Sequence, residues 1–194
     1  MSTKPSVKKE RAMTEMYNPV ALALHWTIAV IIFATFLLGL YMAGLQLTPA
    51  KLRLYSYHKW IGVTIFLLVI ARIAWRLTHP APALPPMPKW QVAAEHASHT
   101  LLYVVTLAIP ITGWLFSSAS DVQTVYFGML PIPDLVAKNK AAAEAFKAAH
   151  WYLNMTMLLL VGVHVAVALK HHFVDRDDVL SRMLPIVRPR RPNA

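Results

Sequence analysis

The chain has 194 residues, a formal net charge of +10, 57% hydrophobic residues and only 14% charged ones, with a mean hydropathy of +0.46. A chain so apolar cannot hide its hydrophobic side chains in one water-soluble core, so it reads as an integral membrane protein of one domain. It has no cysteine, which excludes disulfides, thiolate ligands and covalent cofactor attachment through C-x-x-C-H. The positive charge points to membrane topology and anionic lipid rather than nucleic acid.

Residues 1–16 form a basic tail with Lys4, Lys8, Lys9 and Arg11. The apolar run that follows is too long for the h-region of a cleaved signal peptide. Pro19 to Leu45 carries no charge and reads as a first membrane span. The second span, about Leu54 to Arg76, is weaker. Its uncharged run is only Trp60 to Ala71, flanked by Lys59 and Arg72, whose cations must snorkel. Thr78 to Pro88 (THPAPALPPMP) is too proline-dense for helix and reads as a stiff link. Ala97 to Ser120 is the third span, with Pro110 expected to kink it. The longest connection, Asp121 to Lys147, contains a stretch from Leu135 to Ala149 with good helix propensity. Asp134 is its expected N-cap, and the helix should continue into a fourth span, Ala148 to Leu169.

Thirteen of the nineteen Lys and Arg residues fall in the N-terminal tail, the Arg72–Lys89 segment and the C-terminal end from Lys170. The positive-inside rule then places both termini in the cytoplasm. The expected fold is an all-α membrane protein, a four-transmembrane-helix bundle over residues 17–185. A basic cytoplasmic tail precedes it, and a basic tail follows it at 186–194.

The histidines carry the chemistry. His150 and His164 lie 14 residues apart on the fourth span, just under four turns. They therefore face nearly the same way, roughly 21 Å apart along the axis. His25 lies six residues after Pro19, and His164 lies six before Lys170, at matching depth on the cytoplasmic side. His58 and His150 lie close to the outer ends of the second and fourth spans. Two pairs at two depths follow, and paired neutral imidazoles are axial ligands for b-type haem. By depth alone His99 is a rival ligand on the inner side, and one haem or one metal site is the alternative. Zinc does not fit, because it gathers its ligands at one depth. Gly39, Gly62, Gly113 and Gly162 allow close approach of a neighbouring helix or of a macrocycle edge. Arg53, Lys59, Arg72 and Arg76 lie at span ends, where they would meet haem propionates or lipid phosphate.

Five segments carry a resemblance: NPVALALHW at 18–26, YHKWIGVTIFLLVIARIAWRLTHPAP at 57–82, EHASHTLLYVVTLAIPITGWL at 95–115, AHWYLN at 149–154 and GVHVAVALKHHFVDRDDVLSRMLP at 162–185. In order and spacing they resemble the bacterial cytochrome b-561 family, over nearly all of Tyr17 to Pro185. The resemblance implies a four-helix cytochrome with two b haems in the bacterial inner membrane. His25 and His164 would ligate one haem, His58 and His150 the other, and His99 neither. It also implies electron transfer with ubiquinone and, as in family members that resemble a superoxide oxidase, superoxide as the donor on the periplasmic side. Lys51, Arg53 and Lys59, with Lys138, Lys140 and Lys147, outweigh Asp121, Asp134 and Glu144 on the outer face and would attract a small anion. His96, His99, His171 and His172 gather at the inner ends of the third and fourth spans. His99 and His171 are the candidate quinone contacts, and Arg72 and Arg76 the candidate propionate contacts. The alternative is a relay subunit that passes electrons between a partner dehydrogenase or hydrogenase and quinone.

Overall fold

The computed structural model describes residues 16–84 and 87–184. The two basic tails, apart from Met16, lie outside the described residues. Helix α1 runs Pro19–Ala43. Asn18 caps it by accepting the Val20 N–H at 2.9 Å, and Pro19 occupies the first turn, where no N–H is needed. The same device starts α2, Pro49–Thr78: the Thr48 hydroxyl accepts the Lys51 N–H, and Pro49 follows. This helix starts five residues earlier than the hydropathy pattern suggests, because the cap and proline set its start and apolarity does not.

Helix α3, Lys89–Ala119, runs through Pro110 without ending. It stops where Asp121 takes a left-handed φ of 58° and the Val122 N–H bonds back to the Ser117 carbonyl, a Schellman-type end with aspartate in the usual glycine place. Two short strands follow, β1 (Thr124–Tyr126) and β2 (Leu130–Ile132), paired antiparallel with Tyr126 opposite Leu130. Phe127 and Gly128, both at positive φ, turn the hairpin. Helix α4 is Lys140–Lys170. It does not begin at Leu135 after Asp134: Asn139 is the cap, accepting the Ala142 N–H at 3.0 Å. The alanine-rich propensity was overridden by a stretch that bonds to α3 instead, where Ser118 accepts the Leu135 N–H and Ala119 accepts the Asn139 N–H. One π-helical turn, His171–Asp175, and a short helix α5, Val179–Met183, close the described chain.

The four long helices are each apolar and long enough to cross a membrane, and the chain is a four-helix membrane bundle. Helix α3 packs most extensively on α4 and α1 on α2, with α2 against α3 joining the pairs. The bundle interior centres on Ile28, Ile65 and Val69, surrounded by Ile31, Ile32, Ile61, Leu68, Ile73, Tyr103 and Leu107. The outside is as apolar as the inside: Val30 and Phe33 are each 64% exposed and Leu159 67%. That inversion is stable only in hydrocarbon, where every backbone N–H must be satisfied within a helix or a closed sheet.

The two ends of the bundle are built differently. At the hairpin end, Lys59 donates to the Val122 carbonyl at 2.9 Å and the Trp60 indole donates to Val125 at 2.6 Å. Thr64 bonds the Tyr126 hydroxyl at 2.9 Å, and Trp114 donates to Pro133 at 2.9 Å. The long connection is thus fastened across α2 and α3. At the termini end, Trp26 donates to the Met183 carbonyl and Arg182 to that of Ala83. Both bonds bring α5, the start of α1 and the proline-rich link together.

Candidate functional site

Four buried or half-buried histidines occupy two levels of the bundle. His58 is the tenth residue of α2 and His150 the eleventh of α4, counted from their N-termini at the hairpin end. They lie deeper than the sequence suggested, because both helices extend further towards the hairpin, but they remain matched. His25 is the seventh residue of α1, and His164 is the seventh from the end of α4. The Ile28–Ile65–Val69 cluster fills the interior between the two levels.

At the hairpin-end level the rings of His58 and His150 meet edge to face, with centroids 6.2 Å apart and planes 75° from parallel. Two imidazoles each about 2 Å from one shared metal atom place their centroids about 6 Å apart. His150 Nδ1 is 3.0 Å from the Ile109 carbonyl oxygen and 3.3 Å from the Thr112 hydroxyl. A carbonyl can only accept, so Nδ1 carries the proton and Nε2 keeps its lone pair. This is the tautomer a metal-ligating histidine needs, fixed by a bond to its other nitrogen. His58 Nδ1 is buried and makes no hydrogen bond of normal geometry among the described residues, while the ring lies beside the Thr35 backbone.

Glycine makes room for both rings. A Cβ at Gly39 would stand 3.3 Å from His58 Cε1, and one at Gly113 would stand 3.2 Å from His150 Cε1. At Gly62 and Gly162 nothing lies within 4 Å of the added carbon. Gly62, Ile32, Phe36, Thr106 and Met157 join the two histidines around about 470 Å³ of unfilled space, part of it open to the surroundings. A flat apolar macrocycle with a metal centre suits such a lining, and these residues fit a b-type haem.

The termini-end level is more crowded. His25 lies within electrostatic reach of Arg72, His164 and His99, and its ring meets Trp26 edge-on at 5.1 Å. The ring closest to His164 is that of His99, with centroids 5.4 Å apart. His99 is itself turned back on its own helix: Nδ1 is 3.0 Å from the Glu95 carbonyl oxygen and 2.9 Å from its carboxylate. Arg72 donates to the Tyr103 hydroxyl at 3.1 Å and to the Ala21 carbonyl at 3.3 Å. Arg76 lies one turn further towards the surface.

His171 does not join this group through any bond among the described residues. Its Nδ1 is 2.7 Å from Asp177 and 3.2 Å from Asp175, and Lys170 also pairs with Asp175 at 2.7 Å. His96 is exposed and bonds the Val92 carbonyl. At the hairpin end, Lys51 donates to the Leu45 carbonyl and Lys59 to that of Val122, while Lys138 pairs with Asp121 and Lys147 with Glu144. A neutral carbonyl leaves the charge of Lys51 uncancelled, Lys59 has the Asp134 carboxylate within electrostatic reach, and Arg53 has no partner among the described residues. Sequence reasoning missed Ile109, Thr112, Glu95, Asp177 and Trp60, the α2 tryptophan that bonds the hairpin. Only the Glu95–His99 pair, four residues apart on a helix, had a sequence signal.

Comparison with known proteins accords with this architecture. A family model described as prokaryotic cytochrome b561 matches residues 16–185. Cytochrome b561 homolog 2 of Escherichia coli (strain K12) is 35% identical over 88% of this chain and 92% of its own. The probable superoxide oxidase CybB of Yersinia pestis is 26% identical over 89% and 98%, and cytochrome b562 of Cereibacter sphaeroides 29% over 90% and 96%.

Proposed function

From the premise that the chain belongs to the prokaryotic cytochrome b561 family, we propose that it oxidises superoxide at the hairpin end and reduces ubiquinone at the termini end. It is an integral bacterial membrane protein of transmembrane electron transfer, an oxidoreductase of the b-cytochrome type. Two b haems, one at each level, supply one-electron redox chemistry when bound. His58 and His150 hold the one near the hairpin, and His25 and His164 the other. The observation that carries the reading is the opposed His58–His150 pair, 6.2 Å apart with the His150 tautomer fixed by Ile109.

The chain's own residues do the rest. Lys51, Arg53 and Lys59 draw a small anion to the hairpin end, which the positive-inside distribution puts in the periplasm. Arg72, beside His25 and His164, takes a propionate. His99 hydrogen-bonds a quinone carbonyl, and His171, oriented by Asp177, passes protons from the cytoplasmic side. In balance, two superoxide ions each give up one electron and leave as dioxygen, and one ubiquinone takes two electrons and two protons. The relative named as a probable superoxide oxidase supports the donor.

Purified protein, superoxide and a soluble ubiquinone analogue test the proposal. Quinol should form at a rate above the protein-free control without any added partner. Spectroscopically intact protein that forms no quinol alone, but does so with a dehydrogenase present, would transfer the reading to a relay subunit.

A further inference from the structure

A second cavity lies at the termini end, and Arg72 separates it from the His25 and His164 level. Tyr17 lines it from the entry to α1, Arg72, Trp75 and Arg76 from the last turns of α2, His79 from the link, and Tyr103 from α3. Together they border about 430 Å³ of unfilled space, part of it open to the surroundings. Among the described residues the lining includes two guanidinium groups and no carboxylate. Arg72 spends its donors on neutral oxygens, the Tyr103 hydroxyl and the Ala21 carbonyl, which leave its charge uncancelled. Arg76 has no hydrogen-bond or ion-pair partner among the described residues.

The Trp75 indole supplies an independent observation. Its Nε1 is buried and has no hydrogen-bond partner among the described residues, although buried donors are almost always satisfied. The ring is held in place: His79 stacks on it at 3.9 Å and 2° from parallel, and His79 Nδ1 is 2.9 Å from the Thr78 hydroxyl. A rigid indole with an idle N–H thus borders a cavity with uncancelled positive charge.

We infer that this cavity binds a phosphate-type oxyanion, supplied by the headgroup of an anionic phospholipid or by free phosphate. With Arg72 serving a haem propionate, a neutral ligand such as a quinone would leave the Arg76 guanidinium uncompensated. A haem propionate is already served by Arg72, and Arg76 stands four residues on, about 6 Å nearer the surface along the axis. That is the headgroup level of a spanning helix, where basic pockets between helices meet lipid phosphate.

The test uses purified holoprotein in a neutral detergent, titrated separately with short-chain phosphatidylglycerol, phosphatidylcholine and inorganic phosphate, with thermal unfolding as the readout. Phosphatidylglycerol should protect at concentrations several-fold lower than phosphatidylcholine. Arg76→Gln should weaken that protection about fivefold, the share of one cation near the surface. Trp75→Phe, which keeps the stacking ring and removes the N–H, should also weaken it, and Lys140→Gln at the opposite end should not. Haem content per chain, measured alongside, should remain unchanged in Trp75→Phe. Protection by inorganic phosphate alone would name free phosphate as the source, and protection only by the lipid would name the headgroup. Equal protection by the two lipids with none from phosphate would overturn the inference, as would an Arg76→Gln protein that loses haem while its lipid preference is unchanged.

Discussion

Gly113 offers a quantitative test of the hairpin-end site. A methyl at this position would meet His150 Cε1 at 3.2 Å and Nδ1 at 3.4 Å, so the ring must retreat by a few tenths of an ångström. It has little freedom to do so, because Nδ1 is held by the Ile109 carbonyl at 3.0 Å and lies 3.3 Å from Thr112. Overpacking against a fixed group costs about 1–3 kcal/mol, which is about a 5- to 150-fold loss in affinity for whatever His150 ligates. Alanine for glycine inside a helix returns up to about 1 kcal/mol of backbone stability, so the fold should survive. Gly113→Ala protein should therefore be folded and deficient in one haem, measured by pyridine haemochrome per chain and by redox titration. Gly162→Ala, where the methyl meets nothing within 4 Å, should keep both haems and be no less stable. If Gly113→Ala retains two haems with unchanged potentials while Gly162→Ala loses one, the assignment of His150 is wrong.

Other outcomes follow from the same geometry. His58→Ala or His150→Ala should remove one haem, and His25→Ala or His164→Ala the other. His99→Ala should retain both, and loss of a haem there with retention in His25→Ala would make His99 the ligand of the termini-end site. Haem reduction by superoxide should slow as ionic strength rises, since exposed charges are screened over about 8–10 Å at physiological salt. Neutralising Lys51, Arg53 and Lys59 together should slow it further without changing haem content, and a salt-independent rate would remove the attraction argument. A periplasm-dependent reporter fused after Ala194 should be silent and one inserted near Asn139 active, and the reverse pattern would invert the bundle.

How far the sequence disclosed this architecture depended on the range of the forces involved. The spans were legible because burial in hydrocarbon acts on every residue of a long run, and Pro19 and Pro49 marked helix starts locally. The depth match of His25 with His164 and of His58 with His150 was legible because helical rise is fixed. The start of α4 was not, since the stretch from Leu135 to Asn139 is held by Ser118 and Ala119 on another helix, a choice made by tertiary bonds. The hairpin at 124–132 escaped notice for a related reason. Its strands are three residues each, and its fastening to Trp60 and Thr64 is invisible to local periodicity.

The glycines show where sequence reading stopped and structure began. From sequence, Gly39, Gly62, Gly113 and Gly162 were equivalent gaps. In the bundle two of them face imidazole rings and two face open space, so the same residue type does two jobs. Gly39 and Gly113 let His58 and His150 approach each other from α2 and α4, with α1 and α3 pressed close behind them. The ring separation at this level is therefore set by helix packing as much as by the histidines themselves. Any change that parts α3 from α4 or α1 from α2 should disturb the hairpin-end pair before it disturbs the fold. At the other level no glycine stands behind His25 or His164. Three imidazoles and Arg72 share that space, so the termini-end pair is set by side-chain crowding where the hairpin-end pair is set by close helix approach.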